Sequence, residues 1–249
     1  MTQTDEPVRA GASAGGARVL VIDDEPEIGR AVRAGLRVAD FTVDWVATGE
    51  EGMERVAQWR PDVILLDLSL PDIDGVEVCR QLRAWTQTPI IVLSVRSREQ
   101  DKVAALEQGA DDYLTKPFGM GELIARIRVA LRHVARSADG SAGARIKVGE
   151  LEIDLERRVV TVSGREAHLT PTEYEVLKYL MRNADKVVTH GVLLHAVWGP
   201  SYEAEAHYLR VFINQLRRKI EPEPSRPRYL ITEAGVGYRI RTPDEGQRR

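Results

Sequence analysis

Residues Val63-Ile64-Leu65-Leu66 are apolar without interruption and end at Asp67. Side chains of a strand alternate between its two faces, so a strand apolar at every position has to be covered on both. That places it in the middle of a parallel sheet with helices on either side. It also limits where Asp67 can sit. A carboxylate inside such a strand is costly, whereas one at its C-terminal edge faces the crevice where open α/β sheets collect ligands. An isolated Asp after a strand can equally cap the next helix, and the rest of the chain decides between the two.

The pattern recurs on either side. Strands are expected at 18–22, 41–46, 63–67, 89–94 and 112–115, with helices at 26–39, 49–59, 75–84, 99–108 and 119–134. Five βα repeats in this length predict an α/β doubly wound, flavodoxin-like sheet of strand order 2-1-3-4-5 over residues 18–136. Residues 137–144 contain no large apolar side chain and read as a linker. Beyond them the pattern changes to α+β. Short strands at 145–168 carry turns at Glu156-Arg157 and Ser163-Gly164-Arg165. Helices follow at 172–183, 189–197 and 205–220, and a hairpin folds around Gly235-Val236-Gly237. Residues 145–241 form this second unit, flanked by tails at 1–17 and 242–249.

Charge divides at the same place. Residues 18–136 hold 16 Lys and Arg against 20 Asp and Glu, and residues 145–241 hold 16 against 13. An acidic half followed by a basic half suggests two tasks, the second on nucleic acid. The single cysteine, Cys79, rules out an intrachain disulfide and fits a cytoplasmic protein with a small buried thiol. No run approaches the roughly 20 apolar residues of a membrane span, and the first 17 residues lack the basic start and apolar core of a signal peptide. No membrane role is expected.

The doubly wound order makes the first and third strands neighbours, so the run Asp23-Asp24-Glu25 and Asp67 meet at one edge. Carboxylates held that close repel, and such a cluster suits a hard divalent cation with oxygen ligands, as Mg2+ is. The fourth strand brings the hydroxyl of Ser94 to this edge, and the fifth brings the ammonium of Lys116. Each has an ordinary alternative as a cap, a turn former or a surface charge. Four strand ends delivering them together argue for chemistry. Asp67 can accept a phosphoryl group as an aspartyl-phosphate, Asp23 and Asp24 can help to hold Mg2+, Lys116 can stabilise phosphoryl oxygens, and Ser94 can bond one of them only after transfer.

With Tyr113 and Lys116-Pro117 added, residues 18–136 resemble the receiver domain of two-component response regulators. The resemblance implies that Asp67 takes its phosphate from a sensor histidine kinase. It implies that Asp24, Asp67 and the Ser69 carbonyl ligate the metal directly, with Asp23 acting partly through water. Ser94 and Tyr113 would form the coupled switch pair, and Lys116-Pro117 would be cis. Receivers often carry Thr where this chain has Ser94, which keeps the hydroxyl.

In the second half, Leu209, Phe212, Ile213, Leu216 and Ile220 recur at helical spacing and face a core. His207, Arg210, Asn214, Arg217 and Arg218 lie largely off that stripe and suit base edges and phosphates, although a solvated charged face is the plainer account of one helix alone. Helix, loop, helix and hairpin together resemble the winged helix-turn-helix effector domain of the OmpR/PhoB family. That likeness implies contacts to double-stranded DNA from His207, Arg210, Val211, Asn214, Gln215, Arg217 and Arg218 in the major groove, and from Gly235 and Arg239 in the wing. It also implies that loop 198–204 touches RNA polymerase. The segments 207–212, 221–228, 232–238 and 93–96 resemble the regulators of a potassium-transport operon.

In this family the face made by helix 99–108, strand 112–115 and helix 119–134 pairs two receivers. Lys102, Glu107, Asp111, Asp112 and Arg126 are the candidates for a homodimer formed on activation, with Arg128 nearby. A two-fold axis would use each pair twice and set two recognition helices on two half-sites. Two rivals remain: a phosphate-independent DNA-binding dimer, and an aspartate-nucleophile phosphohydrolase. The second needs a general-acid Asp two residues past the nucleophile, where this chain has Ser69.

Overall fold

The computed structural model describes residues 16–135, 145–202 and 206–243. The linker expected at 137–144 lies outside the described residues, as do residues 1–15 of the tail expected at 1–17 and residues 244–249 of the tail expected at 242–249.

The first unit runs β1 (Arg18–Ile22), α1 (Pro26–Val38), β2 (Thr42–Val46), α2 (Gly49–Trp59), β3 (Val63–Asp67), α3 (Gly75–Arg83), β4 (Ile90–Ser94), α4 (Glu99–Glu107), β5 (Asp112–Thr115), α5 (Met120–Ala135). All five strands are parallel in the order β2-β1-β3-β4-β5, as expected from the sequence. β3 and β4 are buried at every position, as their apolar composition requires. The two sides of the sheet face different packings. Leu20, Ile22, Ile64, Leu66 and Val92 join Val78 and Leu82 of α3, while Val19, Val21, Val63, Leu65 and Leu93 join Val32 and Leu36 of α1 and Leu123 and Ile127 of α5. Cys79 is fully buried, and burial pushes its thiol up to about 12. It is a core hydrophobe with no reactive thiolate at neutral pH.

The second unit runs β6 (Arg145–Val148), β7 (Leu151–Asp154), β8 (Val159–Val162), β9 (Arg165–Glu166), α6 (Pro171–Arg182), β10 (Val188–Thr189), α7 (His190–Val197), a 3-10 turn (Pro200–Tyr202), α8 (Ala206–Ile220), β11 (Leu230–Glu233), β12 (Gly237–Ile240). Thr170 and Glu173 close a capping box at α6: the Thr170 hydroxyl accepts from the Glu173 N–H (3.3 Å), and the Glu173 carboxylate accepts from the Thr170 N–H (2.8 Å). Thr170→Ala is expected to cost about 1 kcal/mol, readable as a lower urea midpoint at unchanged slope.

The C-terminal hairpin is part of a three-stranded sheet, β10-β12-β11, where only two strands were expected. β10 is two residues long and leaves no periodic trace. Its partner shows why Gly237 is a glycine: a Cβ there would stand 2.0 Å from the Val188 carbonyl oxygen. The hairpin turn places Gly235 at φ +73°, a conformation glycine adopts freely.

The two units pack against each other. α4 lies along α8 and α5 along α6. Ten of the twelve residues of α6 are buried, among them Thr172, Glu173, Glu175 and Lys178, because the receiver-like unit covers the side of α6 turned away from its own core.

Candidate functional site

β1, β3, β4 and β5 deliver Asp23, Asp67, Ser94 and Lys116 to one edge. The Lys116 ammonium donates to Asp23 Oδ2 (2.8 Å), Asp67 Oδ2 (2.9 Å) and Glu25 Oε1 (3.1 Å). Asp67 Oδ1 accepts from the Leu68 N–H at 2.7 Å, with the Ser69 N–H at 3.4 Å. Asp23 and Asp67 are buried while Glu25 is exposed. Burial lifts the Asp23 carboxyl above its ordinary range even though Lys116 pulls the other way. Burial also works against the Lys116 ammonium, but its bonds to Asp23 and Asp67 and their charge outweigh it and raise its pKa.

Asp23, Glu25 and Asp67 bring carboxylate oxygens within 4.8 Å of one another. Asp24, expected beside Asp23, is not in that group. The chain bends at Asp24, and Glu25 joins Asp23 by donating its N–H to Asp23 Oδ1 (2.9 Å) and accepting from Lys116 (3.1 Å). Glu25 belongs to the acidic run expected at this edge, although the sequence assigned the metal to its neighbours Asp23 and Asp24. Ser69 lies exposed in the turn after β3. The set fits a divalent cation: hard oxygen donors and an excess of negative charge over the one ammonium.

The loops around the site are tied down. Asp74 caps α3 by accepting from the Val76 N–H (2.9 Å) and pairs with Arg96 (3.0 Å). Gly75 lets α3 start against β3, since a Cβ would lie 2.2 Å from the Asp67 carbonyl oxygen. Ser94 is fully buried, and its hydroxyl accepts from the Arg96 N–H (3.1 Å). Tyr113 is buried and donates to the Arg96 carbonyl (2.5 Å). Ser94 and Tyr113 therefore both hold Arg96, three residues before α4. Lys116-Pro117 is cis.

The DNA candidates divide on α8. Arg210 and Asn214 are exposed, and His207 is half-buried. Val211 is 7% exposed and belongs to the packed side. Arg217 donates to the Leu230 carbonyl (2.7 Å) and the Thr232 hydroxyl (2.7 Å), which fastens α8 to β11. Gln215 donates to the Glu107 carbonyl (2.6 Å), and Arg218 lies 3.6 Å from the Glu107 carboxylate. Arg239 pairs with Glu233 across the hairpin.

Four of the five candidates for a receiver dimer, Glu107, Asp111, Asp112 and Arg126, are engaged by the second unit. Asp111 accepts from Arg83 and from the Thr172 N–H (3.0 Å). Asp112 and Arg126 pair at 2.9 Å, and the Tyr202 hydroxyl donates to Asp112 and accepts from Arg126. Lys102 sits 5.9 Å over the Tyr113 ring. His133, unmarked in the sequence, places Nε2 2.9 Å from the Val197 carbonyl.

Residues 19–128 match the response regulator receiver domain family, and residues 164–240 match the C-terminal domain of transcriptional regulatory proteins. The transcriptional regulatory protein KdpE of Mycobacterium tuberculosis (strain H37Rv) is 49% identical over 222 residues, 89% of this chain and 98% of that protein. The KDP operon transcriptional regulatory protein KdpE of Escherichia coli (strain K12) is 48% identical over the same shares. Among solved structures, a RitR mutant superimposes with a TM-score of 0.74 at 26% identity, covering 90% of this chain and 99% of that one. Among the described residues no helix is long and apolar enough to cross a membrane.

Proposed function

This chain belongs to the response regulators that join a receiver to a C-terminal DNA-binding domain, and from that membership we propose that it is a cytoplasmic transcription factor switched by phosphorylation of Asp67. The supporting observation is Asp67 itself, buried at the end of β3 with Lys116 bonded to it and Ser94 at the next strand end.

A carboxylate oxygen of Asp67 attacks the phosphorus carried by a sensor histidine kinase. The phosphorus–nitrogen bond breaks, and its electron pair leaves with the kinase imidazole. Asp23, Glu25 and Asp67 would hold Mg2+, completed by Asp24 and the Ser69 carbonyl. When bound, the ion neutralises charge on the phosphoryl oxygens. Lys116 shares that charge, and Ser94 gives up the Arg96 N–H and donates to a phosphoryl oxygen. The acyl phosphate is held and not turned over, since Ser69 supplies no general acid two residues on.

Arg210 and Asn214 would read base edges from α8, joined by His207, Gln215 and Arg218, while Gly235 and Arg239 bring the wing to the backbone. Val211 and Arg217 support that helix from behind. A receiver homodimer would place two such helices on two half-sites, and loop 198–204 would be offered to RNA polymerase. The regulated target we assign is a potassium-transport operon, on the likeness to the two KdpE proteins.

Acetyl phosphate with Mg2+ should tighten binding of the full chain to its DNA site. Arg210→Ala and Asn214→Ala should each weaken that binding by about 1–3 kcal/mol and relax base preference at one position. Arg217→Ala should instead lower the melting temperature, because it frees β11 from α8. Equal affinity with and without phosphodonor would point to the phosphate-independent regulator.

A further inference from the structure

We propose that Trp45 is a positioning residue for the divalent-cation site: its indole fixes the backbone of Asp23 and, through it, the acidic turn that carries Asp23, Asp24 and Glu25. The proposal rests on the reading of Asp23, Asp24 and Asp67 as Mg2+ ligands.

β2 is an edge strand of the receiver sheet, and Trp45 is in register with Val21 of β1. Its ring is half-buried and packs on the cluster that joins the sheet to α1 and α5. From there the indole N–H donates to the Asp23 carbonyl at 2.9 Å. An indole N–H donates and cannot accept, so this bond fixes the direction of the ring as well as its place.

Asp23 is held at four atoms. Its N–H donates to the Val46 carbonyl (3.1 Å), its carbonyl accepts from Trp45, Oδ1 accepts from the Glu25 N–H (2.9 Å) and Oδ2 from Lys116 (2.8 Å). The two carboxylate bonds come from within the site, whose groups must regroup around a cation or a phosphoryl group. The two backbone bonds come from β2, outside it. The Trp45 bond reaches one residue further than the Val46 bond does. The Asp23 carbonyl and the Asp24 N–H lie in one planar peptide, so fixing that oxygen sets the direction in which the chain enters Asp24.

The same ring braces the far end of the turn. Gly29, in the first turn of α1, lies against it: a Cβ there would stand 2.5 Å from Trp45 Nε1. The Gly29 N–H donates to the Glu25 carbonyl (3.0 Å), and the Glu25 side chain gives α1 no cap. The start of α1 is therefore braced from β2 rather than capped by its own first residue. The ion makes such bracing matter. Mg2+ demands near-octahedral geometry with bonds of about 2.0–2.1 Å, and a site works only when held within about 0.5 Å of its productive geometry. Groups that orient a ligand without touching the metal typically account for about 10–100-fold of its affinity.

Two variants of the full chain test this role. Trp45→Phe keeps an aromatic ring and removes the N–H; Gly29→Ala keeps the indole and pushes it off the Asp23 carbonyl. Free Mn2+, which suits the same oxygen ligands as Mg2+, is measured by electron paramagnetic resonance during titration. Each variant should bind Mn2+ at least about tenfold more weakly than the wild type, whereas Trp85→Phe, at a ring 52% exposed beyond α3, should match the wild type. Titration well below the melting temperature reads folded molecules alone, so a loss of stability by itself leaves the affinity unchanged. The initial rate of phosphorylation by acetyl phosphate should fall in both variants at limiting Mg2+ and return to the wild-type rate at saturating Mg2+, since Asp67 and Lys116 are untouched. If Trp45→Phe fails to fold by circular dichroism, Gly29→Ala decides. Wild-type affinity in the folded variants would overturn the role of Trp45. So would an equal loss in Trp85→Phe, or a rate that saturating Mg2+ does not restore. A wild type that binds no Mn2+ would overturn the cation site itself, and the role of Trp45 with it.

Discussion

Incubated with acetyl phosphate and Mg2+, the wild-type chain is expected to gain one phosphoryl group by intact mass, and Asp67→Ala to gain none. The expectation comes from geometry more than from the presence of an acid. Asp67 is one of four acidic residues near this edge, but Asp23 is fully buried beneath Lys116, and Glu25 and Asp24 lie outside the sheet. Asp67 closes the central strand β3, with Oδ1 bonded to the Leu68 N–H and Oδ2 to the Lys116 ammonium. Acetate leaves with the electron pair of the broken phosphorus–oxygen bond, and the phosphoryl oxygens meet Lys116 and Ser94. A phosphoryl group on Asp67→Ala, mapped to Asp23 or Glu25, would place the acceptor elsewhere. Removal of Mg2+ with EDTA should suppress the wild-type gain, since Lys116 alone cannot offset the incoming charge.

Lys116→Met is expected to destabilise the metal-free protein by about 3–5 kcal/mol, the range for removing one partner of a buried ion pair. Lys116 is 6% exposed, Asp23 0% and Asp67 3%, so the carboxylates left behind can neither hydrate fully nor separate. Urea unfolding in EDTA reads the loss, and saturating Mg2+ should restore much of it by supplying the missing positive charge. The pH dependence has a definite sign. The Asp23 pKa is raised in the fold, so ionising this carboxyl costs stability. Without Lys116 that cost is present in full above the raised pKa and is relieved as pH falls and Asp23 takes up a proton. A variant as stable as the wild type in EDTA would mean the acids are not held together as described.

What was legible in the sequence followed from simple periodicities. β3 and β4 announced themselves because every residue before Asp67 and Ser94 is apolar, which called for two covering layers and fits the observed parallel sheet. Turn chemistry located the α6 cap at Thr170 and the hairpin at Gly235. β10 was not legible, because two residues carry no period and only the missing Cβ of Gly237 betrays the strand beside it. Glu25 was placed in the acidic run that ends β1, but the metal was assigned to Asp23 and Asp24, whereas the structure groups Glu25 with Asp23 and Asp67. On α8 a single apolar stripe was expected, yet Gln215 and Arg218 lie on a second face that meets Glu107 of α4. A helical pattern shows which side is apolar, not which polar side another domain will cover. The charges of the α4–β5–α5 face were recognised as pairing groups, but their present partners, Thr172, Tyr202 and Arg218, are distant in sequence and invisible to local pattern.

The central claim is that a phosphoryl group on Asp67 controls DNA binding by α8. Its most direct test is recovery of genomic DNA fragments by the full chain, with and without acetyl phosphate and Mg2+, in parallel with Asp67→Ala. The account predicts phosphodonor-dependent enrichment of fragments upstream of potassium-transport genes for the wild type, and none for Asp67→Ala. Equal recovery of the same fragments by both proteins, with or without phosphodonor, would contradict it.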